Sequence, residues 1–296
     1  SVARSCDGSR ARVGASGDDT VGGTNSGSAR VFLRTGTAWT EEATLLAAGG
    51  AMDDYLGMVV ALSSDGSRAL VGAEQDDTAA GINAGSVHVF VRTGSTWTEE
   101  ATLLAPDAFV GDFFGASVAL SADGSRAVVG VRGDDTAVGM DAGSARVFLR
   151  TGSIWAQEQV LLAPDATAGD ALGTAVTLSS DGTRAVVGSP YDDDGVTADF
   201  GSARVFVRTG TTWTHESTLL AGDRADSDTL GGSVALTGDG SRALVGAPQD
   251  DTVGGSTAGS ARVFTLLGTV GTPCGADGAC SSGFCTDGVC CNLRCG

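Results

Sequence analysis

Residues 113–148 of the chain read FFGASVALSADGSRAVVGVRGDDTAVGMDAGSARVF. Within this stretch, Asp123-Gly124 lies between two runs of small and β-branched residues, which is the pattern of a β-hairpin. A type I′ turn requires a positive φ at both central residues, and Asp followed by Gly meets that requirement at little steric cost. The stretch therefore predicts two antiparallel strands joined by a tight type I′ turn.

The same dipeptide recurs along the chain every 58 residues, without insertion or deletion. Its aspartates are Asp7, Asp65, Asp123, Asp181 and Asp239. The sequence therefore consists of five repeats of one unit, followed by a tail of different composition. The repeats span about 1–47, 48–105, 106–163, 164–221 and 222–267, and the tail spans 268–296.

The third repeat predicts four short strands, at 115–122, 126–131, 144–150 and 154–163. Because the second of these is apolar at almost every position, neighbouring repeats must cover both faces of the sheet. Stacking around an axis achieves this, so the repeats predict an all-β fold, a β-propeller with four-stranded antiparallel blades. Two alternative folds do not fit the 58-residue period. Immunoglobulin-like sandwiches need about 100 residues per domain, and calcium-binding β-helix repeats have a much shorter period.

The fifth repeat stops after its third strand, at Phe264, and lacks the fourth strand that carries a tryptophan. The tryptophans keep the 58-residue period at Trp39, Trp97, Trp155 and Trp213. The next place in the series is Gly271, so no spare strand is visible to close the ring. Either five blades close imperfectly, or the sequence is a fragment of a larger ring. Because the chain begins with Ser1 and not Met, we expect a processed or truncated form.

Composition limits the partners of this chain. Its formal charge of −18 comes from 36 acidic and 18 basic residues, and every basic residue is arginine. Such a chain repels nucleic acid and anionic membrane surfaces. No apolar run approaches the ~18 residues of a membrane span, and no signal peptide is visible. We therefore expect neither nucleic-acid binding nor membrane insertion.

The cysteines are concentrated in the tail. Six of the seven lie in the last 23 residues, at Cys274, Cys280, Cys285, Cys290, Cys291 and Cys295. This concentration predicts a small disulfide-rich module in an oxidising compartment, and therefore a secreted or cell-surface protein. Six cysteines allow 15 pairings, and the sequence does not choose among them. Zinc is the competing interpretation, but the tail has neither paired C-x-x-C knuckles nor a histidine.

Two sets of aspartates recur at one end of the predicted blades. The loop between the second and third strands carries the pairs Asp18 and Asp19, Asp76 and Asp77, Asp134 and Asp135, Asp192 and Asp193, and Asp250 and Asp251. The linker before the first strand carries Asp54, Asp112, Asp170 and Asp228. Both loops lie at the same end of a sheet, which predicts an acidic rim. Carboxylates there suit Ca²⁺ or a cationic ligand, whereas the alternative interpretation is that they shape turns. Calcium is the only candidate cofactor.

The opposite rim is predicted to carry the four tryptophans, as candidates for ligand binding. In each hairpin an arginine can face the indole, as Arg92 can face Trp97, and this pair would stabilise the hairpin by a cation–π contact. An exposed tryptophan could instead stack on a sugar ring, so glycan binding remains an open alternative.

Catalysis has little support in the sequence. His88 replaces an arginine found in the other repeats, and His215 replaces a Glu or Gln. Neither belongs to a motif for hydrolytic, phosphate or nucleotide chemistry. We therefore predict no catalytic residues and a protein that is not an enzyme.

A family resemblance follows from two motifs. Phe114-Gly115 with Ser117-Val118, and Gly246-Ala247-Pro248 in the fifth repeat, resemble the two halves of the FG-GAP repeat. That repeat forms the β-propeller head of integrin α subunits and occurs in secreted bacterial proteins, and the resemblance covers about 1–267. The family's ring usually has seven blades, so five repeats favour a fragment. The tail resembles cysteine-rich modules of secreted proteins from bacteria such as myxobacteria, and we expect that it is truncated too.

The calcium-binding loop of some integrin repeats is not expected in this chain. Some integrin repeats carry a Ca²⁺ loop of the form D-x-D-x-D-G-x-x-D, but alignment on Asp65 places Ala61, Ser63 and Ala69 at the other ligand positions. One carboxylate cannot hold a cation that takes 6–8 oxygen ligands. A calcium site is therefore not expected at this turn.

The resemblance implies a non-catalytic extracellular scaffold for binding or adhesion, which recognises a protein or a glycan through its rim loops. One alternative is a propeller hydrolase or lyase that acts on extracellular polysaccharide or lipid. A second alternative is a structural protein of the cell envelope.

Overall fold

The computed structural model describes residues 1–253, 255–266, 284–286 and 289–291, and these residues form strands and turns without a helix. Five antiparallel sheets follow one another, each with its strands in chain order. Blade 1 contains β1 (Val2–Arg4), β2 (Arg10–Ala15), β3 (Ser28–Thr35) and β4 (Ala38–Leu45). Blade 2 contains β5 (Val59–Leu62), β6 (Arg68–Ala73), β7 (Ser86–Thr93) and β8 (Thr96–Leu103). Blade 3 contains β9 (Phe114–Leu120), β10 (Arg126–Val131), β11 (Ser144–Thr151) and β12 (Ile154–Leu161).

The last two blades differ in strand number. Blade 4 contains β13 (Ala175–Leu178), β14 (Arg184–Ser189), β15 (Ser202–Thr209) and β16 (Thr212–Leu219). Blade 5 contains β17 (Ser233–Leu236), β18 (Arg242–Ala247) and β19 (Ser260–Thr265). Its sheet has three strands in the described part of the chain, as the missing tryptophan predicts. The expectation of an all-β propeller with a 58-residue period is confirmed.

In the tail, the structure describes one two-stranded antiparallel pair, β20 (Phe284–Thr286) with β21 (Val289–Cys291). Cys274, Cys280 and Cys295 lie outside the described residues, and for the other three tail cysteines only the backbone strand is described. The disulfide-rich module and its pairing therefore stay predictions. No helix in the described residues is long and apolar enough to cross a membrane.

The hydrophobic core lies between successive blades. Every residue of β10 is buried, and Val129 of this strand packs in one cluster with Leu70 and Val89 of blade 2. Val128, its neighbour in sequence, points to the other face and packs with residues of blade 4 such as Val187. Alternate side chains of one strand thus enter two different cores, which explains why the second strand of the repeat is apolar at almost every position.

The Asp-Gly turn differs from the predicted type I′ geometry. Of the two residues, only Gly124 has a positive φ, of 67°. Its N–H donates to the carbonyl of Ser121, and a carboxylate oxygen of Asp123 accepts the Ser121 hydroxyl at 2.6 Å and the Ser125 N–H at 2.9 Å. The prediction of type I′ was wrong, because the Asp side chain stabilises a wider four-residue loop that needs only one left-handed residue.

A glycine in the second strand of each repeat allows neighbouring blades to approach closely. A Cβ added at Gly188 of β14 would lie 2.0 Å from the carbonyl oxygen of Gly231 in the next blade. The φ of Gly188 is not in the left-handed region, so the need for glycine here is steric. The same approach of a second-strand glycine to a glycine of the following blade occurs at Gly14, Gly72 and Gly130, which explains why both halves of the motif contain glycine.

We expect Gly188→Ala to lower the free energy of unfolding by at least about 2 kcal/mol, because overpacking forces the two backbones apart. Gly246→Ala is the matched control. Gly246 holds the same place in blade 5, where a Cβ would meet first the flexible hydroxyl of Ser233 in its own blade. Chemical denaturation of both variants checks this prediction, and equal losses in the two would contradict it.

Candidate binding site on the acidic rim

In every blade except blade 2, the first aspartate of the loop pair joins its loop to the third strand. In blade 3, Asp134 is 7% exposed, and its Oδ2 accepts hydrogen bonds from the hydroxyl of Ser144 and from Arg146 Nη2, the latter at 2.7 Å. Asp192 with Arg204 and Asp250 with Arg262 repeat the ion pair in blades 4 and 5. The first aspartate is therefore a structural residue in these blades.

The second aspartate of the pair shapes the loop. Asp135 Oδ1 accepts the backbone N–H of Asp141, six residues further on, at 2.9 Å. Asp19, Asp77 and Asp251 make the same bond with their own loops, whereas Asp193 accepts the N–H of Gly195. These contacts shape the loops, which is the alternative to calcium binding that the sequence left open.

The linker aspartates are the most buried carboxylates of the rim. They are 1–4% exposed, and each accepts the backbone N–H three residues before it. Burial raises the pKa of Asp112 from 3.8 to about 6, and the charges of Asp134 and Asp135 act in the same direction. Burial also raises the pKa of Asp54 and Asp170. Burial is thus the main cause that disfavours the charged form of these three carboxylates.

In blades 3 to 5, an arginine bridges the linker and the loop. The guanidinium of Arg146 lies 2.6 Å from Asp107 Oδ1 in the linker and 2.7 Å from Asp134 Oδ2 in the loop. Arg204 joins Asp165 to Asp192 in the same way, and Arg262 joins Asp223 to Asp250. This Asp–Arg–Asp bridge places a positive charge where the acidic groups converge.

Blade 2 departs from this arrangement at two positions. His88 occupies the position of the bridging arginine, Arg146 in blade 3. Gly49 occupies the position of Asp107, the linker residue that this arginine contacts. The His88 ring does not reach the loop: its Nε2 lies 3.1 Å from Ser86 Oγ, and its Nδ1 lies 2.7 Å from Glu99 Oε1. Within the described residues, the side chain of Asp76 has no hydrogen-bond partner. Together the two changes remove the arginine and one of the two carboxylates that it bridges in blade 3, and they leave Asp76 without a cationic partner.

A pocket of about 170 Å³ opens at this point of blade 2. Its lining includes Asp54, Asp76, Asp77 and His88, together with Gly49. Asp54 is only 4% exposed, and its Oδ2 accepts the N–H of Ala51, whereas its Oδ1 has no partner within the described part of the chain. The pocket therefore presents a carboxylate oxygen that accepts no hydrogen bond from the described residues.

The contacts of His88 follow the order of a Ser–His–carboxylate triad. However, Ser86 is fully buried and does not line the pocket, so its hydroxyl is not accessible to a substrate. The same serine occurs in every blade, and in blades 1, 3 and 5 its hydroxyl donates to the loop aspartate. We therefore assign Ser86 and Glu99 the role of holding the His88 ring.

The second histidine, His215 in blade 4, packs edge-on against Phe206, and burial lowers its pKa.

The opposite rim carries the tryptophans, and three of them contact the preceding blade. Trp97 Nε1 donates to Glu42 Oε2 at 3.2 Å. Trp155 donates in the same way to Glu100, and Trp213 to Glu158. Trp213 is only 3% exposed, whereas Trp39 in blade 1 is 43% exposed. These three tryptophans therefore join neighbouring blades by a hydrogen bond that the sequence did not predict.

The prediction that Arg92 lies over Trp97 within the hairpin was wrong. Arg92 is the cross-strand partner of Trp97, but its guanidinium donates to the carbonyls of Gly66 and Gly94. The guanidinium that lies over Trp97 belongs to Arg12 of blade 1, at 5.4 Å from the ring centroid.

Within the described residues, no group of three or more His, Cys, Asp or Glu side chains is arranged to hold a metal ion. Apart from Asp76, the loop aspartates are instead engaged by serine, arginine and backbone N–H groups. Calcium binding at the rim therefore stays a prediction without a preformed site.

The stacked antiparallel sheets and their two loop-bearing rims define this protein as a β-propeller. The sequence comparison agrees, since the profile of the FG-GAP repeat matches residues 39–90, 97–148, 155–206 and 213–264. These matches cover more than half of the chain, which therefore belongs to the FG-GAP repeat family. Each match runs from the fourth strand of one blade to the third strand of the next. A search of curated proteins found no match.

Proposed function

We propose that this propeller is a non-catalytic, extracellular binding scaffold, and that the pocket of blade 2 receives a lysine side chain of a protein ligand. One observation supports the proposal: the pocket of blade 2 keeps Asp54, Asp76 and Asp77 but has neither the arginine nor the partner carboxylate that form the Asp–Arg–Asp bridge in blades 3 to 5. The extracellular location rests on the family resemblance and on the cysteine-rich tail.

The other blades indicate which chemistry fits the pocket. In blade 3, Arg146 supplies N–H donors to two carboxylates at the corresponding place. An ammonium group on an alkyl stem supplies positive charge and three donors of the same kind. The pocket volume of about 170 Å³ is more than ten times the roughly 10–15 Å³ that one water needs. A lysine ammonium would therefore find Asp54 Oδ1 and the free carboxylate of Asp76 in place of the missing guanidinium.

The test is a ¹⁵N NMR titration of the full chain with the tripeptide amide Gly-Lys-Gly. We expect shifts at the amides of Gly49, Gly50, Asp76 and Asp77, with a dissociation constant in the millimolar range, or about −4 kcal/mol. The peptide is also acetylated at its N-terminus, so that the lysine ammonium is its one positive charge; the same peptide with an acetylated lysine is neutral and should not bind. Because burial raises the pKa of Asp54, affinity should fall as the pH is lowered and this carboxylate becomes protonated.

The matched control is the double variant Gly49→Asp with His88→Arg. It restores the ion pair of blades 3 to 5 and leaves the net charge unchanged, so it separates the pocket from general attraction to an acidic surface. We expect at least tenfold weaker binding. Equal affinity in the variant, or shifts located elsewhere on the rim, would overturn the lysine pocket. Titration with CaCl₂ alone tests the calcium alternative, which predicts shifts at the same amides.

The absence of catalysis is tested separately. A fluorophosphonate probe labels serines that are activated by histidine. We expect no labelling of Ser86, because its hydroxyl is fully buried. Labelling that is lost in Ser86→Ala would instead favour the hydrolase alternative.

A further inference from the structure

A second pocket adjoins the acidic pocket of blade 2. It measures about 230 Å³ and lies on the blade 1 side, between the loop at 20–27 and the linker that leads from blade 1 to blade 2. Ala47, Gly49 and Gly50 of this linker line both pockets, so the linker is the wall that the two pockets share. At the two glycines, no side chain rises above this wall.

The chemistry of the second pocket differs from that of the first. Among the described residues, no charged side chain lines it. The hydroxyls of Thr20 and Ser26 lie 2.6 Å apart and also bond the backbone of their own loop. Its two large apolar side chains lie open, since Val21 is 99% exposed and Leu46 is 37% exposed. The second pocket therefore suits a neutral, apolar side chain.

The substitution that opens the lysine pocket also lowers the shared wall. In blades 3 to 5 the position of Gly49 is occupied by an aspartate, and each of these aspartates is held by an arginine of its blade. Gly49 has no side chain, and a Cβ added there would meet no atom within 4 Å. The main chain of a ligand can therefore lie against the wall in blade 2.

We propose that the two pockets form one site, which binds a protein segment in which an apolar residue of about the size of leucine is next to the lysine. This inference rests on the lysine pocket proposed above and adds the neighbouring residue that the site selects. Successive side chains of an extended chain point to opposite sides. A ligand that runs along the wall thus places the lysine on the blade 2 side and its neighbour on the blade 1 side. Within the described part of the chain, the N–H of Gly49 donates no hydrogen bond, so it is available to a ligand carbonyl.

The test compares three N-acetylated tripeptide amides, Gly-Lys-Gly, Leu-Lys-Gly and Gly-Lys-Leu, by ¹⁵N NMR titration of the full chain. Both leucine peptides are used because the direction of the ligand chain decides which neighbour reaches the second pocket. We expect one of them to bind about tenfold more tightly than Gly-Lys-Gly, or by about 1.4 kcal/mol, as partial burial of a leucine side chain allows. That peptide should also shift the amides of Thr20, Gly22 and Gly27, which Gly-Lys-Gly leaves unchanged.

Val21→Ser makes the test specific to the second pocket. Because Val21 is almost fully exposed, the variant keeps the fold, and its affinity for Gly-Lys-Gly should not change. The tenfold gain from leucine should fall to threefold or less. Val253→Ser is the matched control, since Val253 holds the same place in the loop of blade 5 and is also fully exposed. This control should keep the whole gain.

The possible failures are distinguishable. If Gly-Lys-Gly shifts Asp76 and Asp77 but neither leucine peptide binds more tightly, the second pocket is overturned and the lysine pocket stands. A gain that survives Val21→Ser would also overturn the second pocket, because the leucine would then bind elsewhere. If none of the three peptides shifts Asp76 and Asp77, the proposed function is overturned and this inference with it.

Discussion

Glu158→Ala is expected to lower the free energy of unfolding by about 3–5 kcal/mol, because it leaves a buried arginine without its counter-charge. Glu158 Oε2 lies 2.8 Å from Arg126 Nε in its own blade and 3.1 Å from Trp213 Nε1 in the next blade. The side chains of both Arg126 and Glu158 are less than a tenth exposed. The carboxylate thus joins two blades, and its removal leaves two buried donors unsatisfied. Urea denaturation measures the loss.

Glu41→Ala is the control for this prediction. Glu41 lies on the corresponding strand of blade 1 and pairs with Arg30, but both side chains are about 40% exposed. Exposed pairs contribute about 1 kcal/mol or less. A loss for Glu158→Ala no larger than that for Glu41→Ala would show that the Trp–Glu–Arg contact does not stabilise the blade interface.

The loss should also depend on pH. Burial opposes the charge of Glu158, but the hydrogen bonds from Arg126 and Trp213 outweigh it and lower the pKa of the carboxyl below 4.5. Its contribution is therefore present above pH 4.5 and is lost as the pH falls through the lowered pKa. The difference between the wild type and Glu158→Ala should accordingly shrink in acid.

Arg12→Leu is expected to raise the free energy of unfolding by about 1–4 kcal/mol. Arg12 is fully buried between blades 1 and 2, and its Nε and Nη2 have no hydrogen-bond partner. Its Nη1 reaches only the carbonyl oxygens of Leu70 and Ala61, at 3.3 and 3.5 Å. Blade 2 has Leu70 at the corresponding place, fully buried. Leucine therefore fits this environment, and it removes a buried charge that only two carbonyl oxygens and the face of Trp97 compensate.

The stabilisation expected for Arg12→Leu should shrink in base, whereas the loss expected for Glu158→Ala should shrink in acid. Burial lowers the pKa of Arg12 from 12.5 to about 9. Between these values the unfolded chain binds more protons than the folded chain, so the wild type gains stability as the pH rises above 9. The advantage of Arg12→Leu should shrink in that range. Arg12→Met, which keeps a long side chain without a charge, should also stabilise. A loss of stability in both variants would contradict this account of Arg12.

The 58-residue period predicted most of the fold. The bounds of β10 and the missing fourth strand of blade 5 followed from the sequence, because apolar alternation and the tryptophan series are local signals. The contacts between blades did not follow from it. Trp213 and Glu158 are 55 residues apart and belong to different repeats, so nothing in the repeat shows that they touch. The turn at Asp123 was assigned the wrong type, since a dipeptide does not determine loop length.

The candidate site was predictable only in part. His88 stood out in the sequence because it replaces an arginine of the other repeats. Gly49 was overlooked, since a glycine in a linker is ordinary. Its meaning depends on the contact between Asp107 and Arg146 in blade 3, which joins a linker to a strand 39 residues away. Without that contact, the two substitutions in blade 2 look independent.

The proposed function requires that the pocket of blade 2, which lacks the arginine of blades 3 to 5, binds a lysine ammonium. A crystal structure of the full chain with Gly-Lys-Gly amide tests this most directly. We expect the lysine ammonium within hydrogen-bond distance of Asp54 Oδ1 and the Asp76 carboxylate, with the His88 ring still held by Ser86 and Glu99. An ammonium bound at another blade, or a pocket closed by the chain's own side chains, would contradict it.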